Sequence, residues 1–214
     1  MQLIQNNSLP IYGVRIAHYI ISPTTGEGVT SPWSEREREM TDSNADVQEL
    51  IDRQRIWECL LRYTRGMDRL DRELALSAYH SDGMEDHGAL IAACDTFVDQ
   101  VLGFHRSGEI LTQHIMSNHR CELEGSVAHA ETYVSCYSVN RDGKASYSLG
   151  RFVDRLEKRD GRWGIVDRVC VREGSTDFPR NDFVENFSVQ AGSLHRSTRD
   201  RTDPSYLRPL RVRR

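Results

Sequence analysis

The sequence has no apolar run approaching the roughly 18 residues that a membrane span requires, and its first residues lack the basic-then-apolar layout of a secretory signal. These absences predict a soluble, unexported chain, cytoplasmic in location and with no membrane partner. It also lacks any Cys-x-x-Cys pair. Its cysteines, Cys59, Cys94, Cys121, Cys136 and Cys170, are odd in number and scattered, which fits reduced thiols rather than a disulfide frame or a zinc site. No two of the eight histidines stand two or four residues apart, so the spacing that supplies paired metal ligands is missing and no metal site is expected. There is no Gly-x-Ser-x-Gly elbow, no Gly-rich phosphate loop and no dinucleotide fingerprint. Any chemistry is therefore expected to be acid-base chemistry without a cofactor. An excess of positive charge is absent as well: the formal net charge is −4, which argues against nucleic acid as a partner.

What is present suits one domain with extensions. The chain has 214 residues, of which 38% are hydrophobic, enough for a full core. The stretch "SPTTGEGVTSPWSEREREM" has neither helical nor strand period, and residues 1–39 read as a flexible leader, with Met40 a candidate biological start. The apolar "IYGVRIAHYII" within it gives an arm against a neighbouring subunit as the alternative. A long helix then begins, with Ser43 as cap, Asp46 three residues on as in a capping box, and Val47, Leu50 and Ile51 opening the apolar stripe. A short helix is expected from Asp71 to about Tyr79, ended by an Asp82-Gly83 turn, and a third from about Asp95 to His105. From there the period is two. "ILTQHIMSNHRCEL", "SVAHAETYVSCYSV", "KASYSLGRFVDRLEK" and "RWGIVDRVCVRE" are strand-like runs separated by Glu124-Gly125, "NRDG" and "RDG", all hairpin chemistry. Helices followed by an antiparallel meander predict an α+β domain over residues 40–180. Residues 181–214 lose periodicity and read as an irregular, Arg-rich tail.

The order "QELIDRQRIWECLLRYTRGMDRLD", "YHSDGMEDHG", "TQHIMSNHRCELEGSVAHAETY", "GRFVDRLEKRDGRWGIVDRV" and "DPSY" resembles the SnoaL-like branch of the nuclear transport factor 2-like superfamily, over about residues 44–206. The resemblance implies a cone: a strongly curved antiparallel sheet whose concave face, covered by the N-terminal helices, encloses an apolar cavity. The branch includes scytalone dehydratase, lindane dehydrochlorinase and the bile-acid dehydratase, so it implies a cofactor-independent lyase acting on a hydrophobic cyclic small molecule. A homo-oligomer is implied too, with a trimer favoured. The same cone also serves as a pure binding or scaffold module, which is the competing implication.

In those lyases a carboxylate near the end of the first long helix orients a histidine on the first long strand, and Asp68 and His114 stand at the matching places. A histidine that takes a proton from carbon must be neutral at its working nitrogen. A carboxylate on the other nitrogen fixes that tautomer and steadies the imidazolium formed. Asp68 is expected to be buried within hydrogen-bond reach of His114. Tyr63 is five residues before Asp68, about 140° around the helix, where the resembled enzymes carry a polar pocket residue. Arg168 matches their pocket arginine on the last strand, suited to a developing anion. His87 is a candidate to bind or polarise a substrate oxygen. Asn118 shares strand parity with His114 and is expected to line the pocket, whereas His119, of opposite parity, is expected outside it unless a bulge intervenes. Tyr147 stands for the strand tyrosines that could add a hydroxyl.

Overall fold

The computed structural model describes residues 43–179 and 197–211. The expected leader over residues 1–39, the role of Met40 and the Ser43 cap lie outside what it describes. Helix α1 (Ser43–Arg69) is followed by a single-turn helix α2 (Arg72–Leu76), strand β1 (Tyr79–Asp86), a short β2 (Ile91–Ala93) and helix α3 (Cys94–Gly108). Four long strands complete the domain: β3 (Glu109–Glu124), β4 (Val127–Asn140), β5 (Lys144–Arg159) and β6 (Arg162–Pro179). They form one curved sheet in the order β2-β1-β6-β5-β4-β3, antiparallel except where β1 runs parallel to β6. The chain is thus α+β, as its change of period from helical to two predicts. In the turn that closes β5 onto β6, Asp160 and Gly161 both have positive φ, the conformation that "DG" supplies at a two-residue hairpin.

Expectation and structure part at the chain's second element. The Asp71–Tyr79 segment forms only one helical turn, capped by the Asp71 carboxylate on Leu74 N–H at 3.1 Å, and Asp82-Gly83 lies inside β1 rather than in a turn. Gly66 explains how α2 sits so close to α1: a Cβ there would lie 2.4 Å from the Ala75 backbone nitrogen. The apolar stripe of α1 also begins later than its first turns imply. Val47, Leu50 and Ile51 are 55%, 65% and 40% exposed, and the core-facing side starts at Ile56 and continues through Cys59, Leu60, Tyr63 and Met67. Those side chains pack against Phe152, Leu156, Trp163 and Ile165 of β5 and β6. One buried polar side chain ties the two layers together. Asp52 on α1 accepts from Trp163 Nε1 at 2.8 Å and from Lys158 Nζ at 2.9 Å. Burial opposes its charge, but these donors hold its pKa below the usual carboxylate value.

Part of the Arg-rich tail is built into the domain. Asp203 caps a 3₁₀ turn (Pro204–Tyr206), Tyr206 donates to Asp71 at 3.1 Å, and Arg65 lies 4.8 Å from the Tyr206 ring centroid. Arg199 reaches furthest inward. It donates to the carbonyls of Met67, Asp68, His105 and Glu109 and to Thr112 Oγ1, at 3.0 to 3.5 Å. The last turns of α1 and α3 leave carbonyls without helical partners, and one guanidinium satisfies both ends.

Candidate active site

The concave face of the sheet and helices α1 and α3 enclose a cavity of about 430 Å³, lined by Tyr63, Met67, His87, His105, Glu109, His114, Cys136 and Phe152 among others. Three of the lining residues are histidines, and each has a carboxylate beside it.

Asp68, on the last turn of α1, reaches across to β3. One carboxylate oxygen accepts from His114 Nδ1 at 2.7 Å and the other from the His114 backbone N–H at 2.9 Å. Holding ring and backbone of one residue at once leaves the imidazole little freedom to turn. Asp68 is half-buried rather than sealed, its side chain 14% exposed, and it stands behind the ring instead of lining the cavity. Such a position suits an orienting group that does not touch a ligand. Burial opposes a charge on His114, yet the Asp68 carboxylate and the sulfur of Cys136, its direct cross-strand neighbour, push its pKa up to about 10. The shift favours the charged ring, the state that His114 reaches once it has taken a proton.

His87 lines the cavity between the rings of Phe97 and Phe152. Its Nε2 lies 3.1 Å from Glu85 Oε2, without the alignment of a hydrogen bond. Burial alone would lower its pKa, but Cys170 and Glu85 beside it push it up to about 9, which favours its charged form. His105 and Glu109, four residues apart where α3 runs into β3, form a buried pair through Nδ1 and Oε2, and both line the cavity. Residue spacing held the signal for this pair, since i and i+4 on a helix face the same way. Cys136 and Cys170 were equally hidden in the sequence; they become visible only through the strand register that sets them beside His114 and near His87.

The other expected residues are distributed differently. Tyr63 is 2% exposed, lines the cavity and meets Tyr79 and Phe152 edge-on. Burial keeps its pKa well above the ordinary phenol value, so it stays a donor. Arg168 does take the inward parity, but it does not line the cavity. It is 1% exposed, fixed by two hydrogen bonds to Asp154 at 2.6 and 3.1 Å, and sandwiched between the rings of Tyr63 and Phe152 at 4.4 and 4.2 Å. Asn118 is exposed and outside the cavity, because a bulge between Ser117 and His119 reverses the parity of β3. His119 takes the inward side instead, hydrogen-bonded to Thr132 at 2.8 Å and packed on Trp57. Tyr147 pairs with Tyr137 on the face opposite the cavity-lining Ser146 and Ser148. Among the described residues no three His, Cys, Asp or Glu side chains are grouped to hold a metal ion.

Residues 48–169 match the SnoaL-like domain family. The chain belongs to this family. No curated protein matches it. Among solved structures, a hexachlorocyclohexane dehydrochlorinase (LinA) of type 2 is similar at 16% identity and a TM-score of 0.59, covering 64% of this chain and 95% of its own. A candidate scytalone dehydratase from Novosphingobium aromaticivorans DSM 12444 shares 17% identity with a TM-score of 0.56, over 62% and 91% of the two chains. A candidate aromatic ring hydroxylase from Novosphingobium aromaticivorans is 18% identical with a TM-score of 0.56, over 60% and 94%. At these identities the likeness is one of fold. The three differ in the chemistry their names carry, so the site of this SnoaL-like protein must speak for itself.

Proposed function

We propose that the cavity is the active site of a cofactor-independent lyase, a dehydratase before a related isomerase or cyclase, acting on a hydrophobic cyclic small molecule. The observation that carries the reading is the double grip of Asp68 on His114. A carboxylate largely withdrawn from water costs stability unless it is paired, and here the pairing leaves the second ring nitrogen as the one available for proton transfer. His114 takes a proton from carbon, Asp68 holds the ring and steadies its charge, and Tyr63 donates to the substrate oxygen. Arg168 is spent on Asp154, so the stabilisation of a developing anion passes to His87, which lines the cavity and favours its charged form. That Arg168 does not line the cavity favours the second reading, a non-catalytic binding module, although another arginine of β6, Arg172, does line it.

Replacing Asp68 by Asn, and His114 by Gln, separates the two. For a lyase each change removes most turnover, and the double variant is little worse than the worse single one, because the pair acts as a unit. Losses that simply multiply, or unchanged ligand processing, leave the binding module. A homotrimer belongs to the same proposal. Val153 and its register neighbour Val169 are 41% and 44% exposed on the sheet face away from the cavity, apolar surface that self-association would cover. Light scattering that returns a stable monomer at micromolar concentration removes that part. A cytoplasmic location is proposed on the strength of five free cysteines. No helix is long and apolar enough to cross a membrane among the described residues.

A further inference from the structure

The cavity lining changes in kind from floor to rim. Toward the floor it is aromatic and apolar, with Tyr63, Met67 and Phe152; toward the rim it is polar, with Ser148, Ser175 and Asp177. Between the two, β6 presents Arg172, which lines the cavity and has no hydrogen-bond or ion-pair partner among the described residues. Every other arginine of β5 and β6 has an acceptor. Arg151, Arg155, Arg159 and Arg168 each hold a carboxylate, and Arg162 holds the Tyr79 carbonyl. A strand irregularity accounts for the exception. Leu149 stands opposite Gly174 and Gly150 opposite Arg172, so Glu173 is the extra residue of a bulge. Its carboxylate is bound to Arg151 at 2.6 Å and does not neutralise its neighbour. Gly150 supplies no side chain directly opposite Arg172, and a Cβ there would lie 2.4 Å from the Val171 carbonyl oxygen.

We infer that Arg172 binds a carboxylate carried by the ligand, so that the cavity takes an aryl or cycloalkyl carboxylate with its rings toward Phe152 and Tyr63 and its charge toward the rim. This rests on the cavity as a site for a hydrophobic cyclic molecule, catalytic or not, and names the group at the molecule's far end. A guanidinium fork meets a carboxylate in two parallel hydrogen bonds. Ser148 and Ser175, register partners one step further out, set two hydroxyls beside it on the same lining. Asp177 is the one other charged residue of the rim, about 15 Å from Arg172 along the strand. One cation flanked by neutral hydroxyls, with an acid farther out, matches a single negative charge rather than the two of a phosphate. The histidines of the lining already have carboxylates beside them, so Arg172 is the cation left for a ligand. Two strands, β4 and β5, separate β6 from β3, which puts Arg172 and His114 three strand spacings apart, about 14 Å along the sheet. Arg172 thus holds the ligand by the end remote from His114 and sets specificity without touching the reacting atoms.

The test is calorimetric, on the full chain, with biphenyl-4-carboxylate and biphenyl-4-carboxamide, which share their rings and differ in charge. Wild type is expected to bind the carboxylate about tenfold or more tightly than the carboxamide, as a charge-assisted hydrogen bond provides. Arg172→Gln should remove that preference, weakening the carboxylate about tenfold and leaving the carboxamide within about twofold. Arg172→Lys, which keeps the charge without the fork, should recover part of it. Arg55→Gln, the same charge change at an exposed arginine of α1, should leave both affinities unchanged. Arg172 supports no other group in the domain, so its variants should keep the wild-type melting temperature. Equal affinity of wild type for the two ligands overturns the inference, as does an Arg172→Gln variant that weakens both alike or neither. If neither ligand binds, the reading of the cavity as a site for hydrophobic rings falls with it. If the preference depends on Arg172 while Asp68→Asn leaves turnover unchanged, only the lyase reading falls.

Discussion

Two regions of this molecule carry paired charges a few ångströms apart, and they do different work. Beneath the cavity floor, Arg168, Asp154, Glu85 and Tyr79 form a cluster with every charged side chain sealed from solvent. On the cavity wall, His114 and His105 each have one ring nitrogen on a carboxylate and a face toward the open space. The floor is sealed from solvent, even though Arg168 Nη1 and Glu85 Oε2 make no hydrogen bond there. The wall has one partner per ring and a space in front. A perturbed ionisable group marks a site only when something can reach it, and burial decides between the two regions where residue type does not. Glu85 joins them, touching the floor through Tyr79 and Arg168 and the wall through His87.

The comparison breaks if changes on wall and floor have the same consequence. Asp68→Asn is expected to have the largest effect on activity. It keeps the shape but lets the His114 ring adopt the wrong tautomer, and the corresponding change in serine proteases costs about 10⁴ in rate. It should also lower stability at neutral pH, because the charged His114 ring loses the carboxylate that favours it. Arg168→Met should act on stability and leave activity nearly alone. Removing the guanidinium strands Asp154, whose pKa burial already raises against the pull of Arg168. Breaking a buried pair from one side costs about 3–5 kcal/mol. Denaturant unfolding should show that loss, while turnover per folded molecule stays within a few-fold. A large loss of turnover with stability intact would put Arg168 back among the catalytic groups.

Much of this was legible in the sequence, and the misreadings have physical reasons. The long helix and the four hairpin strands follow from periodicity and turn chemistry, which are local signals, whereas the Asp68–His114 contact, 46 residues apart in sequence, was given by family likeness. Asn118 and His119 were exchanged because one extra residue in a strand flips every side chain after it, and nothing in "IMSNHRCE" marks the bulge. Arg168 was matched to a pocket position but lies too deep to line the cavity, since depth depends on Tyr63 and Phe152 from two other elements. Arg199 looked like any solvated tail arginine; its role exists only where two helix ends meet. His105 and Glu109 carried an i, i+4 spacing that reads equally well as a surface ion pair.

Alkaline titration sharpens the same comparison. His114 and His87 have folded-state pKa values of about 10 and about 9, above the unfolded value of about 6.5. A raised pKa means that the folded state holds the proton more tightly, so the stabilisation is fully present below about pH 6.5. It is lost as pH climbs through about 9 and then about 10. Stability measured by urea unfolding should fall across that window. Asp68→Asn should flatten the His114 part of the fall. Arg168→Met should leave it in place, because the Asp68 and Cys136 groups that raise the His114 pKa are untouched.

Arg199→Met should cost less than any change at the wall itself. Its guanidinium satisfies carbonyls at the ends of α1 and α3, and losing hydrogen bonds from a charged donor costs roughly 1–3 kcal/mol. Because those two helix ends carry Asp68 and His105, turnover is expected to fall further than binding of a substrate analogue does. Arg199→Lys should restore part of the stability and little of the rate, as an ammonium cannot span acceptors on both helices. Equal effects of Met and Lys on rate and stability would show that the tail only plugs a gap.

The smallest expected effect belongs to the residue that the bulge displaced. Asn118 is exposed and outside the cavity, so Asn118→Ala should change stability by no more than about 0.5 kcal/mol, as surface substitutions away from special features do. Its effect on turnover should be under about twofold. His119, its neighbour, is hydrogen-bonded to the fully buried Thr132 and packed on Trp57. His119→Ala strands that hydroxyl and removes the ring, with a cost of about 1–3 kcal/mol. The two substitutions therefore read the register of β3 directly. If Asn118→Ala proved the costlier of the two, or reduced turnover strongly, the strand would run without its bulge there, and the inward row of side chains beyond Ser117 would have to be reassigned.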